Sequence, residues 1–69
     1  MNINYLIGSH IRKAREEKNL TVKQLAYLCK ISPNHLTRLE NGNRGLEIDR
    51  LISILNALEI DIFELLKKE

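Results

Sequence analysis

Three side chains suited to reading flat, hydrogen-bonding partners fall within one helical turn of each other: Asn34, Thr37 and Arg38. An asparagine amide matches the edge of adenine, and a guanidinium forks onto the O6 and N7 of guanine. Each good pair is worth ~1–3 kcal/mol of discrimination. His35, beside them, is open to a base edge, a thymine methyl or a phosphate. Bond-making chemistry has no comparable cluster. His10 and His35 stand far apart, with no Cys/His partner set at metal spacing. Cys29 falls on the apolar face of its helix and reads as a small core hydrophobe. Glu16, Glu17, Glu47 and Asp49 read as solvated faces or helix-start charges, and no glycine loop of the phosphate-cradling kind occurs. The expectation is a protein that is not an enzyme and takes no metal, cofactor or small-molecule ligand.

The elements that must position these residues centre on Val22 to Gly42. Leu25, Ala26 and Cys29 mark one short helix, Leu36 and Leu39 a second, and Ile31 an apolar plug between them. Ser32-Pro33 starts the second helix with a hydroxyl cap and a proline where no N–H is needed. Asn41-Gly42 stops it. This is a helix-turn-helix. Upstream, the pattern predicts a lead-in over residues 1–4 and a helix over 5–18, with Ile7, Ile11 and Ala14 on one face and Arg15 beside them. Thr21 and Gln24 form a capping box, flanked by Leu20 and Leu25 as a hydrophobic staple. Downstream, a loop follows Gly42, and a fourth helix runs from about Glu47 to Leu58. Its apolar set, Ile48, Leu51, Ile52, Leu55 and Leu58, covers roughly 120° of arc. Asp61 and Glu64 cap a fifth helix that ends in Lys67-Lys68. The fold class expected is all-α, five helices around one core, a single domain over 1–69.

Composition sets the bounds. A chain of 69 residues buries only about 60% of its unfolded surface, so it needs good helical packing or self-association. Hydrophobic residues at 43%, with one proline and three glycines, argue for a folded chain. Aromatics at 4% and no tryptophan argue against stacking of single-stranded nucleic acid. The net charge is only +2, from 11 basic and 9 acidic residues, so any case for DNA rests on charge placement. One cysteine forms no internal disulfide and fits a reducing cytoplasm. The segment MNINYLIGSHIRK lacks the apolar core of a signal peptide, and no apolar run approaches ~20 residues. A cytoplasmic protein without a membrane partner is expected.

The stretch LAYLCKISPNHLTRLENG resembles the helix-turn-helix regulators of the lambda-repressor and Cro type. The likeness extends backward through Ile11 to Arg15 and forward through Leu51 to Leu66. It implies a lambda-repressor-like domain whose second motif helix enters the major groove of double-stranded DNA. Asn34, His35, Thr37 and Arg38 would then read bases. Thr21, Val22, Lys23 and Ser32 on one side, and Asn41, Asn43 and Arg44 on the other, would hold phosphates without reading sequence. Arg15 and Glu40 would form a partly buried salt bridge that sets the angle of the reading helix. Three positions depart from the pattern. Val22 replaces a phosphate-anchoring glutamine, while Lys30 and Glu59 stand where glycine is usual.

Helices 4 and 5 carry more apolar residues than one core uses. Ile54, Leu58, Ile62, Phe63 and Leu66 are therefore expected to form a homodimer interface. A two-fold dimer sets its reading helices ~34–36 Å apart, matching a palindromic operator. The function expected is a sequence-specific transcription regulator, autoregulatory, similar to the controller proteins of restriction–modification systems, with a phage-type repressor close beside it. The alternative is a protein-interaction module or antitoxin that keeps the fold with weak or no DNA binding.

Overall fold

The structure is a computed structural model and describes residues 3–43 and 47–60. Within them lie four helices and no strand: α1 (Ile3–Glu17), α2 (Val22–Cys29), α3 (Pro33–Glu40) and α4 (Ile48–Leu58). The expected fifth helix, from Asp61 onward, lies outside the described residues. The lead-in is shorter than the sequence pattern suggests, since α1 already begins at Ile3.

Each start is chemically specified. Thr21 Oγ1 accepts the Gln24 N–H at 3.0 Å, and Gln24 Oε1 accepts the Thr21 N–H at 2.8 Å. This is the capping box the spacing demands. Ser32 Oγ accepts the His35 N–H at 3.1 Å, with Pro33 in the first turn. Glu47 precedes α4 without a side-chain cap.

The stops share one geometry. Asn19, Lys30 and Glu59 sit in the left-handed region at φ near 60°, and Gly42 does so at 75°. In each case the next residue returns its N–H to a carbonyl five positions back: Leu20 to Arg15, Ile31 to Ala26, Asn43 to Arg38 and Ile60 to Leu55. Leu20, Ile31 and Ile60 then pack against the core. The hydrogen bonds and the apolar anchor together hold a conformation that costs a non-glycine residue ~1–2 kcal/mol. Lys30 and Glu59 thus keep the backbone that glycine usually provides.

The core gathers Ile11 from α1, Leu25, Ala26 and Cys29 from α2, Leu36 and Leu39 from α3, and Leu51, Ile54, Leu55 and Leu58 from α4. In α4 the buried stripe is Leu51, Ile54, Leu55 and Leu58. Ile48 and Ile52 are 63% and 50% exposed. The helix is therefore turned by about 50° from the stripe its sequence suggests, at ~100° per residue. Ile54 and Leu58, both 0% exposed, are core residues of a single copy and not part of an interface. The reason is the partner. Six large apolar residues permit two overlapping stripes, and α4 buries the one that meets α2, with small Ala57 at its flank.

At Gly8 the backbone of α1 passes close to the end of α3. A Cβ there would stand 2.2 Å from the Leu39 carbonyl oxygen and 2.7 Å from that of Glu40. A Cβ on Gly42 would meet the Tyr5 Cα at 2.6 Å. Gly42 is therefore required twice over, by φ and by space, whereas Lys30 is required by neither. Lys30→Gly is expected to raise the unfolding free energy by ~1 kcal/mol, and Gly42→Ala to lower it by at least ~2 kcal/mol. Urea unfolding of the two variants checks both signs.

Candidate nucleic-acid interface

The presenting element is α3. Leu36 and Leu39 turn inward and are buried, which leaves Asn34, Thr37 and Arg38 exposed on the opposite side. Residues three and four apart share a helix face, so the structure brings these three together. His35 is half-buried at their edge, its N–H held by the Ser32 cap. Ser32 and Pro33 are exposed at the start of the helix.

One ion pair fixes the angle of α3. Arg15 donates from Nε to Glu40 Oε2 at 2.7 Å and from Nη2 to Glu40 Oε1 at 3.2 Å. Its third nitrogen, Nη1, donates to the Leu20 carbonyl at 2.8 Å. The two side chains pair as the resemblance implied, with α1, the α1–α2 turn and the end of α3 joined at one guanidinium. The hydrogen bond to Glu40, with its charge, raises the Arg15 pKa above the ordinary value against the opposing effect of burial. Both residues are buried and none of their buried polar atoms lacks a partner. All three guanidinium nitrogens of Arg15 are thus engaged within the protein. Glu40 closes α3, where the helix end is already negative, so a second cation is also drawn in. Arg12 Nε lies 3.6 Å from Glu40 Oε1, and Arg12 Nη2 donates to Asn41 Oδ1.

The flanking amides divide into used and available groups. At the start of α2 the Thr21 N–H is committed to Gln24, and its hydroxyl retains a proton to donate. Val22 and Lys23 occupy the first two helical positions, whose N–H groups have no partner within the helix. Val22 is half-buried and Lys23 exposed. On the other flank Asn41 and Asn43 are exposed. The Asn43 N–H is taken by Arg38, so Asn43 has only its side chain to offer. Arg44 lies outside the described residues, as do Ile62, Phe63 and Leu66.

Sequence reasoning left out Gly8 and Arg12. A glycine inside a helix costs ~1 kcal/mol against alanine, which is the signal that a backbone passes close by. Arg12 gives no such signal, since its partners are 28 and 29 residues away. Cys29 is buried, and burial pushes its thiol up, which disfavours the thiolate form. Among the described residues no three His, Cys, Asp or Glu side chains converge on a metal position. No described helix is long and apolar enough to cross a membrane.

Residues 8–69 match the family described as helix-turn-helix domain. The chain belongs to that family. Its relatives within this helix-turn-helix family include the control protein C.BamHI of Bacillus amyloliquefaciens. That protein is 30% identical over 66 residues, spanning 94% of this chain and 82% of C.BamHI. The transcriptional repressor RghR of Bacillus subtilis (strain 168) is 46% identical over 39 residues, which is 56% of this chain and 29% of the repressor. Among solved structures, the restriction–modification controller protein C.AhdI from Aeromonas hydrophila superposes with a TM-score of 0.88 at 25% identity, covering 94% of this chain and 98% of the controller. The clp gene regulator ClgR from C. glutamicum gives 0.88 at 27% identity, covering 90% and 80%. These relatives are thus a transcriptional repressor, a control protein, a restriction–modification controller protein and a gene regulator.

Removing Glu40 strands the Arg15 charge. Glu40→Ala is therefore expected to cost ~3–5 kcal/mol, and Arg15→Met with Glu40→Leu much less, because the pair is replaced by packing. Urea unfolding of the three proteins separates the two outcomes. The raised Cys29 pKa favours the folded state below the ordinary thiol range. That contribution is lost as pH rises through the folded value. Stability should decline into alkaline pH, and the Cys29→Ala variant should lack this component of the decline.

Proposed function

We propose that the chain is a sequence-specific transcription regulator that binds double-stranded DNA as a homodimer on a palindromic operator. One observation carries the reading: Asn34, Thr37 and Arg38 stand exposed together on α3, while the other side of that helix is locked by Gly8 and the Arg15–Glu40 pair. In this reading α3 lies in the major groove, where Arg38 forks onto a guanine and Asn34 pairs with an adenine. His35 and Thr37 complete the base-reading set. Thr21, Val22, Lys23, Ser32, Asn41, Asn43 and Arg44 hold phosphates on either flank.

The likeness to C.BamHI and to the restriction–modification controller C.AhdI over most of each chain supports a regulator of the controller kind. In this reading the chain is one domain that acts on its own operon in the cytoplasm. A phage-type repressor is the neighbouring reading. The homodimer draws support from the exposed Ile48 and Ile52 face of α4. With Ile54 and Leu58 in the core, the interface proposed is Ile48 and Ile52 together with Ile62, Phe63 and Leu66. A second reading, a protein-interaction module with little DNA affinity, is favoured by Tyr27 and Leu28, which α2 leaves exposed at 83% and 52%.

A salt titration of duplex binding decides between them. Phosphate neutralisation makes log K fall with log salt by ~0.9 per contact; a flat response favours the interaction module. Arg38→Ala should relax preference at one base position, whereas Arg44→Ala should weaken binding evenly across sequences. Sequencing the DNA selected from a random pool reads both. Phe63→Glu should sediment as a monomer, and an unaltered dimer would refute the interface.

A further inference from the structure

Arg12 is a cation on α1 that reaches the end of the presenting helix, and no role in binding follows for it from the sequence pattern. We propose that Arg12 is a positioning residue: it holds the Asn41 amide with its NH2 group turned outward, as a donor to a backbone phosphate of the DNA. The proposal rests on the DNA-binding reading above.

The geometry leaves the amide one orientation. Arg12 Nη2 donates to Asn41 Oδ1, and Arg12 Nε lies 3.6 Å from Glu40 Oε1. The guanidinium is therefore pinned at two points, and Glu40 is itself pinned by Arg15 at 2.7 Å. A guanidinium carries five donors and no acceptor, so only the oxygen of an amide can face it. The amide is planar, and its NH2 group then faces away from Arg12. Phosphate oxygens accept and do not donate, so that NH2 is the end a phosphate can use.

An exposed asparagine without such a neighbour presents either end. The oxygen end repels a phosphate. Asn41 is the C-cap of α3, with backbone angles of −87° and −2° and its N–H bonded to the Thr37 carbonyl. Its main chain is thus fixed, and the flip of the amide is the freedom that Arg12 removes. The link also ties register to reading, because the same guanidinium touches the carboxylate that sets the angle of α3.

A double-mutant cycle on DNA affinity tests this, with the duplex fragment that the wild-type protein enriches from a random-sequence pool as the probe. Arg12→Ala should weaken binding about 3- to 10-fold, the loss of one well-directed hydrogen bond. In the Asn41→Ala background the same change should cost less than about twofold. The long-range loss of one positive charge is common to both backgrounds and cancels in the cycle. Arg12→Lys, which keeps a donor without an acceptor, should restore most of the affinity. Arg12→Gln, which can accept as well as donate, should not; it also serves in the cycle if Arg12→Ala fails to fold. Equal losses in both backgrounds would mean that Arg12 acts on its own, and the proposal would be wrong. A lowered melting temperature with unchanged affinity would overturn it as well. If the wild-type protein enriches no duplex, the DNA-binding reading itself fails and this proposal falls with it.

Discussion

Among the described residues, one buried ion pair, Arg15 with Glu40, ties α1 to the end of α3. Arg15 and Glu40 are both buried, a costly situation for two charges unless each is satisfied by geometry and hydrogen bonds. Here the satisfaction is complete: two nitrogens of Arg15 meet the two oxygens of Glu40, and the third meets the Leu20 carbonyl. The pair is a poor device for net stability and a good one for specifying geometry. It joins α1, the turn after it and the end of α3 at one guanidinium. The exposed face of α3 inherits that definition.

Close packing reinforces what the ion pair sets. Gly8 lets α1 ride directly on the carbonyls of Leu39 and Glu40, and Gly42 lets the chain leave α3 against the backbone of Tyr5. Both glycines lie along the same contact between α1 and α3. The other stops hold Asn19, Lys30 and Glu59 in left-handed conformations with their side chains exposed, and an apolar residue that packs on the core follows each one. Departures from glycine at Lys30 and Glu59 are therefore changes in local energy and not in backbone path.

The placement of α4 has a consequence for assembly. By burying Leu51, Ile54, Leu55 and Leu58, it turns Ile48 and Ile52 outward. Two isoleucines one turn apart on a helix of a 69-residue chain form an apolar face of the kind that partners cover. On α4 the apolar residues left outside the core are Ile48 and Ile52, and Ile54 and Leu58 lie within it.

What the sequence by itself determined was everything governed by local rules. The capping box at Thr21 and Gln24, the Ser32-Pro33 start, the inward leucines of α3 and the exposure of Asn34, Thr37 and Arg38 all follow from contacts within a few residues. The partnership of Arg15 with Glu40 was legible only through resemblance to a family, since 25 residues separate them. Tertiary structure alone decided the face that α4 buries, because two stripes of nearly equal apolar content are distinguished only by where α2 stands. It alone joined Arg12 to Asn41 and placed Gly8 beneath the end of α3. Such contacts join residues far apart in the chain, and periodicity and capping chemistry carry no information about which distant surfaces meet.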